Sequence, residues 1–173
     1  MPDQITIPAI AADESLYPIE KIEAHRLGVL HQAVSIFVFC GADLLVQRRA
    51  AGKYHCGGLW ANSCCSHPHW GESLQGCAER RLEEELGLSL PLTQVGAIEY
   101  AADVGGGLRE HERVAVFQTQ ANRQTLDIRP DHEEVSEVRW ETPRRLHREA
   151  AERPEVFAPW FRIYLDRWDE LGL

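Results

Sequence analysis

Residues 73–87, SLQGCAERRLEEELG, constrain the fold most tightly. Leu74, Ala78, Leu82 and Leu86 put one apolar stripe along a helix. Ser73 stands at its N-cap and Gly87 at a left-handed C-cap. A helix with a single stripe must bury it against another layer. That layer is legible in AVSIFVF, Ala33–Phe39, a β-branched and aromatic run that predicts a buried strand. Gly41–Asp43 is a turn and Leu44–Arg48 the returning strand. Further strands are predicted at Leu92–Tyr100, Arg113–Thr119 and Val135–Trp140, and helices at Pro18–Arg26, Pro143–Ala151 and Pro159–Leu171. Strands occur both in hairpins and around helices, so the expectation is an α/β chain with a mixed sheet covered by helices. Its 173 residues suit one compact domain. Residues 1–18 are expected to be loosely structured, which leaves 19–173 as the folded unit.

Charge and cysteine usage narrow the partners. A net charge of −9 argues against a nucleic-acid ligand, which calls for a basic face. It does not argue against a phosphate ligand, because a pocket needs only a few well-placed Arg and Lys. No apolar run is long enough to span a bilayer, and MPDQITIPAIAADES lacks the basic start and apolar stretch of a signal peptide. An odd count of five cysteines with no export signal points to free thiols in a reducing cytoplasm.

The chemistry-bearing groups gather around the capped helix. Residues 50–71 are rich in Gly, Cys, His and Trp, and loops of that length are usually functional. Within them NSCCSHPHWGE admits a zinc knuckle, a redox pair or a catalytic loop. A knuckle wants Cys-x2-Cys, which is absent, and a vicinal disulfide is strained, so Cys64 reads as a small buried residue. In the helix, Glu83–Glu85 would ordinarily be a solvated face. Glu85, however, follows Leu82 by three and shares a face with Arg81, so it points toward the core side. On the strand around Glu110-His111-Glu112, alternation directs the two carboxylates one way and His111 the other. Two like charges side by side are costly unless something positive lies between them. His25 and His31 flank Gly28 and could converge from a turn, and His67 adds a third imidazole. Such a mixed N/O set suits Zn²⁺, Mn²⁺ or Fe²⁺. The remaining histidines, His55, His69, His111, His132 and His147, read as surface or loop residues. Arg48 reads as an outward strand residue. Trp60 is either core or a pocket wall.

Arg80–Leu88 resembles the Nudix box, matching it at Glu72, Arg80, Leu82, Glu84, Glu85, Gly87 and Leu88. Ser66 replaces the first glycine, and Arg81 replaces a glutamate that helps hold the metal in the hydrolases. From about Ile19 to Trp168 the chain is similar to the type 1 isopentenyl-diphosphate isomerases. The motifs that carry this are EAHRLGVLH, LLVQRR, GLWANSCCSHPHWGE, RRLEEELG, EYAADVGGGLREHE and FAPW. The resemblance implies a Nudix-type sheet sandwiched by helices. It implies a divalent cation, Zn²⁺ or Mn²⁺, on His25, His31, His67, Glu110 and Glu112. It implies Cys65 and Glu112 as proton-transfer groups with Tyr100 beside Glu112, and Glu85 as the residue holding Mg²⁺ at the substrate diphosphate. Lys21, Arg49, Lys53 and Arg81 would grip that diphosphate, and Trp160 would line the hydrocarbon pocket. The implied partner is a small prenyl diphosphate, and the expected state is a cytoplasmic monomer with no nucleic-acid or membrane partner. Two other functions compete: a Nudix pyrophosphohydrolase on a nucleotide or prenyl diphosphate, and a non-enzymatic module that kept the fold.

Overall fold

The computed structural model describes residues 4–173. In chain order its elements are β1 (Thr6–Ile10), β2 (Leu16–Glu20), α1 (Lys21–Leu27), β3 (His31–Cys40), β4 (Asp43–Arg49), β5 (Trp60–Ala61), β6 (Cys64–Ser66) and α2 (Leu74–Leu86). There follow β7 (Thr93–Gly105), β8 (Leu108–Gln120), β9 (Val135–Glu141), α3 (Pro143–Glu152) and α4 (Pro159–Asp166). The nine strands form one mixed sheet. β3 is its spine. It runs parallel to β8 from His31↔Glu112 to Phe39↔Gln120, and antiparallel to β1, β4 and β6 along different parts of its length.

Strand alternation assigns the two faces. Val34, Ile36 and Val38 of β3, with Ala115 and Phe117 of β8, bury the stripe of α2 formed by Ala78, Leu82 and Leu86. Ala33 and Phe37, with Val114 and Val116, face Phe161, Tyr164 and Leu165 of α4 and Leu146 of α3. Both cores are closed, so the sheet is sandwiched as expected. Ser73 caps α2 through a 3.0 Å bond from Gly76 N–H, and Gly87 ends it at φ 67°. No described helix is long and apolar enough to cross a membrane.

Four expectations need correction. Residues 6–20, which overlap the segment expected to be loose, form the β1–β2 hairpin, which joins the sheet through Ala9↔His31. Residues 1–3 of that segment lie outside the described residues. The first helix starts at Lys21, because Pro18–Glu20 pair with β1 and the Glu20 carboxylate caps Ile22 and Glu23 N–H. The loop 50–71 contains β5 and β6, the latter laid antiparallel on β3. The last helix ends at Asp166 and a separate 3₁₀ turn covers Trp168–Glu170. In the first three a tertiary partner overrides local propensity.

Glu72 fastens the end of the long loop to α2. Its carboxylate takes a fork from Arg80, at 2.7 and 2.8 Å, and a 2.8 Å bond from His69 N–H. Those Arg80 bonds hold the Glu72 carboxyl below its usual range. Glu72→Gln is expected to cost about 1 kcal/mol, measured by urea unfolding at pH 7. Because the folded pKa is depressed, this stability is present above the unfolded value near 4.5 and is lost as pH falls through the folded value. The gap between wild type and variant should therefore close below pH 4.5.

Candidate active site

The β3–β8 register sets the site's geometry. His31 opens β3 directly beside Glu112 on β8, and Tyr100 of β7 is Glu112's partner on the other side. Tyr100 Oη donates to Glu112 Oε2 at 2.8 Å, while His31 Nε2 lies 3.6 Å from Oε1. Glu110, two residues earlier, projects to the same face and meets His25 Nε2 of α1 at 3.6 Å. His67, just past β6, places Nε2 2.7 Å from Glu112 Oε1. All six groups are buried.

The backbone selects the tautomer of two imidazoles. His25 Nδ1 pairs with Lys21 O at 2.6 Å, and His31 Nδ1 with Val29 O at 2.8 Å. A carbonyl only accepts, so each Nδ1 carries the proton and each Nε2 presents a lone pair to the centre. Both Nε2 atoms and Glu110 Oε2 are buried without a hydrogen-bond partner. One donor atom from each of His25, His31, His67, Glu110 and Glu112 falls within 4.8 Å of all the others. Ligands on opposite sides of a first-row cation stand about 4.2 Å apart, so the set fits one divalent ion. Burial, with Lys21 and His31 nearby, pulls His67 well below its ordinary value and keeps it neutral, as a ligand must be. For His31, burial pulls downward, but the Glu112 contact outweighs it and the net shift is upward. Burial alone would raise Glu112. Its contacts with Glu110, His31 and Tyr100 outweigh that and bring it down to about 2.

Cys65 lies on the same side of β3 and is separated from Cys64 by the sheet. Cys64 packs with the α2 core and Cys65 with the α4 core. Two side chains on opposite faces of one strand cannot close a vicinal disulfide there, and all five cysteines are free. Cys65 Sγ donates to Asn62 Oδ1 at 2.9 Å and lies 3.1 Å from Ser35 Oγ, which bonds Tyr164 Oη at 2.8 Å. Burial pushes this thiol up to about 12.

One cleft is lined by Cys65, His67, Tyr100, Glu110, Glu112 and Trp160, and by Lys21, Arg49, Lys53, Arg81 and Glu85 at its charged end. Burial, with Lys53 and Arg81 close by, lowers Lys21 to about 8. Such crowding of cations favours a polyvalent anion among them. Arg81 engages Glu84 at 2.7 Å, Glu85 at 2.5 Å and Glu134 at 3.4 Å. It thus neutralises the carboxylates the helix presents. Gln47 holds the other oxygen of Glu85 at 2.9 Å. Trp160, on α4, is buried against Arg49, whose guanidinium sits 5.2 Å over the indole.

The structure brings every sequence-predicted site residue to this cleft or its charged end, save His25 and His31, which lie behind it in the ligand cluster. It also corrects the reading of His55, which is buried with Nε2 3.0 Å from Glu110 Oε1. His69, His132 and His147 are exposed, and Arg48 faces outward to Glu137. Trp60 stacks under Arg139 at 4.4 Å and is absent from the cleft wall. Sequence reasoning missed Ser35, Asn62, Tyr164 and Glu134. Ser35 had a signal, as the one polar residue inside AVSIFVF. Glu134 had none, because its partners Lys53 and Arg81 are far away in sequence.

Comparison with known proteins places this geometry. The NUDIX domain model matches residues 29–161. An isopentenyl-diphosphate Delta-isomerase of Cereibacter sphaeroides (ATCC 17025) is 54% identical over 154 residues, 88% of this chain and 86% of that protein. The Dinoroseobacter shibae protein of the same name is 50% identical over 159 residues, 91% of this chain and 90% of that one. Among solved structures, a Deinococcus radiodurans protein superposes with a TM-score of 0.76 at 14% identity, covering 94% of this chain and 98% of that one. A MutT protein from Methanosarcina mazei Go1 gives 0.64 at 17% identity, over 81% of this chain and 93% of that one; both likenesses speak to the fold alone. On the domain match and the two relatives together, this chain belongs to the isopentenyl-diphosphate Delta-isomerase family of the NUDIX superfamily.

Proposed function

We propose that this chain interconverts isopentenyl and dimethylallyl diphosphate in isoprenoid synthesis, as a cytoplasmic monomer. One observation carries the reading beyond family membership. One cleft is lined by a thiol, Cys65, and the carboxylate of Glu112 together with four cations, Lys21, Arg49, Lys53 and Arg81. Moving a double bond needs one group to protonate carbon and another to remove a proton, with water excluded. In the isopentenyl-to-dimethylallyl direction, Glu112 gives a proton to the terminal methylene and Cys65 takes one from the allylic carbon. No bond to phosphorus breaks. The pair carries one exchangeable proton, and the reverse direction swaps the roles.

Burial, which pushes the thiol up to about 12, favours the proton on Cys65, and the contacts that bring Glu112 down to about 2 favour its carboxylate. This is the starting distribution for the dimethylallyl-to-isopentenyl direction. Tyr100 keeps the Glu112 carboxylate aimed by its 2.8 Å bond, and Asn62 and Ser35 fix the thiol. The face of Trp160 would stabilise developing tertiary cation character by about 0.5–2 kcal/mol.

His25, His31, His67, Glu110 and Glu112 would hold Mn²⁺ or Zn²⁺, and Glu85 a Mg²⁺ with the diphosphate. Bound there, a divalent cation neutralises the paired carboxylates and charges the site for proton transfer. Lys21, Arg49, Lys53 and Arg81 would take the diphosphate oxygens by charge-assisted bonds. The same Arg81 speaks against the pyrophosphohydrolase reading, because it stands where the Nudix box of the hydrolases has a glutamate that helps hold the metal.

NMR of the purified chain with isopentenyl diphosphate and Mg²⁺ in deuterated water tests this. Deuterium should enter the product methyl group; free phosphate instead would decide for the hydrolase. Cys65→Ala and Glu112→Gln should each slow turnover about 10³-fold while circular dichroism stays unchanged. Arg81→Ala should raise KM at least about tenfold with a smaller change in kcat, the pattern of lost ground-state binding.

A further inference from the structure

His55 is a buried histidine that the reaction above does not use. It sits in the loop between β4 and β5, edge-on to Trp160 (ring centroids 5.6 Å apart) and beside Tyr54 at 4.2 Å. Neither ring nitrogen has a hydrogen-bond partner. Burying an imidazole in that condition costs free energy, so a nearby group must repay it. The nearest charged atom is Glu110 Oε1, 3.0 Å from Nε2 and equally buried. That oxygen stands at hydrogen-bonding distance from Nε2.

The environment of His55 differs from that of His25 and His31. His25 and His31 spend Nδ1 on backbone carbonyls at 2.6 and 2.8 Å and turn a lone pair inward. His55 has no such carbonyl, and its Nε2 faces an acceptor. A lone pair against a carboxylate oxygen would repel, so Nε2 must carry the proton. That tautomer makes His55 a donor toward Glu110, and His55 lies outside the set of donor atoms that converge within 4.8 Å. The opposite oxygen, Glu110 Oε2, is buried and unpartnered.

We infer that His55 is a positioning residue for the metal centre, one whose Nε2–H steadies Glu110 Oε1 and so sets the carboxylate's orientation toward the cation. Groups that orient a ligand in this way are commonly worth about 10–100-fold in metal affinity. The inference rests on the five-residue centre taking a divalent ion, and it does not rest on isomerisation.

Two variants test it in the full chain. His55→Phe keeps an aromatic ring against Tyr54 and Trp160 but removes both nitrogens. His55→Gln keeps an N–H donor near the place of Nε2. Titration calorimetry with Mn²⁺ should show His55→Phe binding about 10–100-fold more weakly and His55→Gln within about threefold of wild type. With Co²⁺ bound, the d–d spectra of all three should have the same envelope, since no ligand is lost. Wild-type Mn²⁺ affinity in His55→Phe would overturn the proposal, as would equal weakening in both variants. A Co²⁺ spectrum altered in both variants would make His55 a ligand and overturn it as well. A chain that shows the expected affinities yet fails to isomerise its substrate would sink the proposed activity and leave this role standing.

Discussion

The parallel pairing of β3 with β8 is the constraint on which the site depends. A shift of one residue in that register would turn His31 away from Glu112 and send Glu112 to the α2 face. The shift is prevented by the cores, because Val34, Ile36, Ala115 and Phe117 would then leave the α2 stripe and Phe37 and Val116 would leave α4. The burial that holds the fold together therefore also fixes the distances within the site. β6 and β7 extend the same logic: β6 brings Cys65 level with Ser35, and β7 brings Tyr100 level with Glu112.

Burial also sets the chemical character of each group. Two carboxylates and three imidazoles within 4.8 Å would be an expensive arrangement in a dry core without a cation to share. The cost is lowered by polar contacts that leave the inward atoms unspent: carbonyls on two histidines and a phenol on Glu112. At the other end the crowding is of opposite sign. Lys21, Lys53 and Arg81 come together around Glu134 and Glu85, and a diphosphate would complete the balance.

Much of this was legible in the sequence where it follows from local pattern. The capped stripe of α2, the buried β3 run and the alternation of Glu110 and Glu112 each depend on a few neighbouring residues, and each is found in place. The approach of His25, His31 and His67 to those carboxylates was implied by resemblance and not by spacing, because it depends on pairing between distant strands. The β1–β2 hairpin was missed for a related reason: Leu16–Glu20 includes Pro18 and becomes a strand only by pairing with Thr6–Ile10. His55 was misread because burial of a loop histidine depends on what folds over it, here Trp160 from α4, about a hundred residues later in the chain.

The proposed metal centre is built from imidazole and carboxylate, and Cys65 stays out of it as a proton-transfer group. X-ray absorption at the zinc edge of the chain loaded with one equivalent of Zn²⁺ tests that most directly. The expected spectrum fits nitrogen and oxygen neighbours at about 2.0–2.2 Å, with imidazole multiple scattering from three rings. A sulfur shell at about 2.3 Å would place a thiolate on the metal and contradict the account.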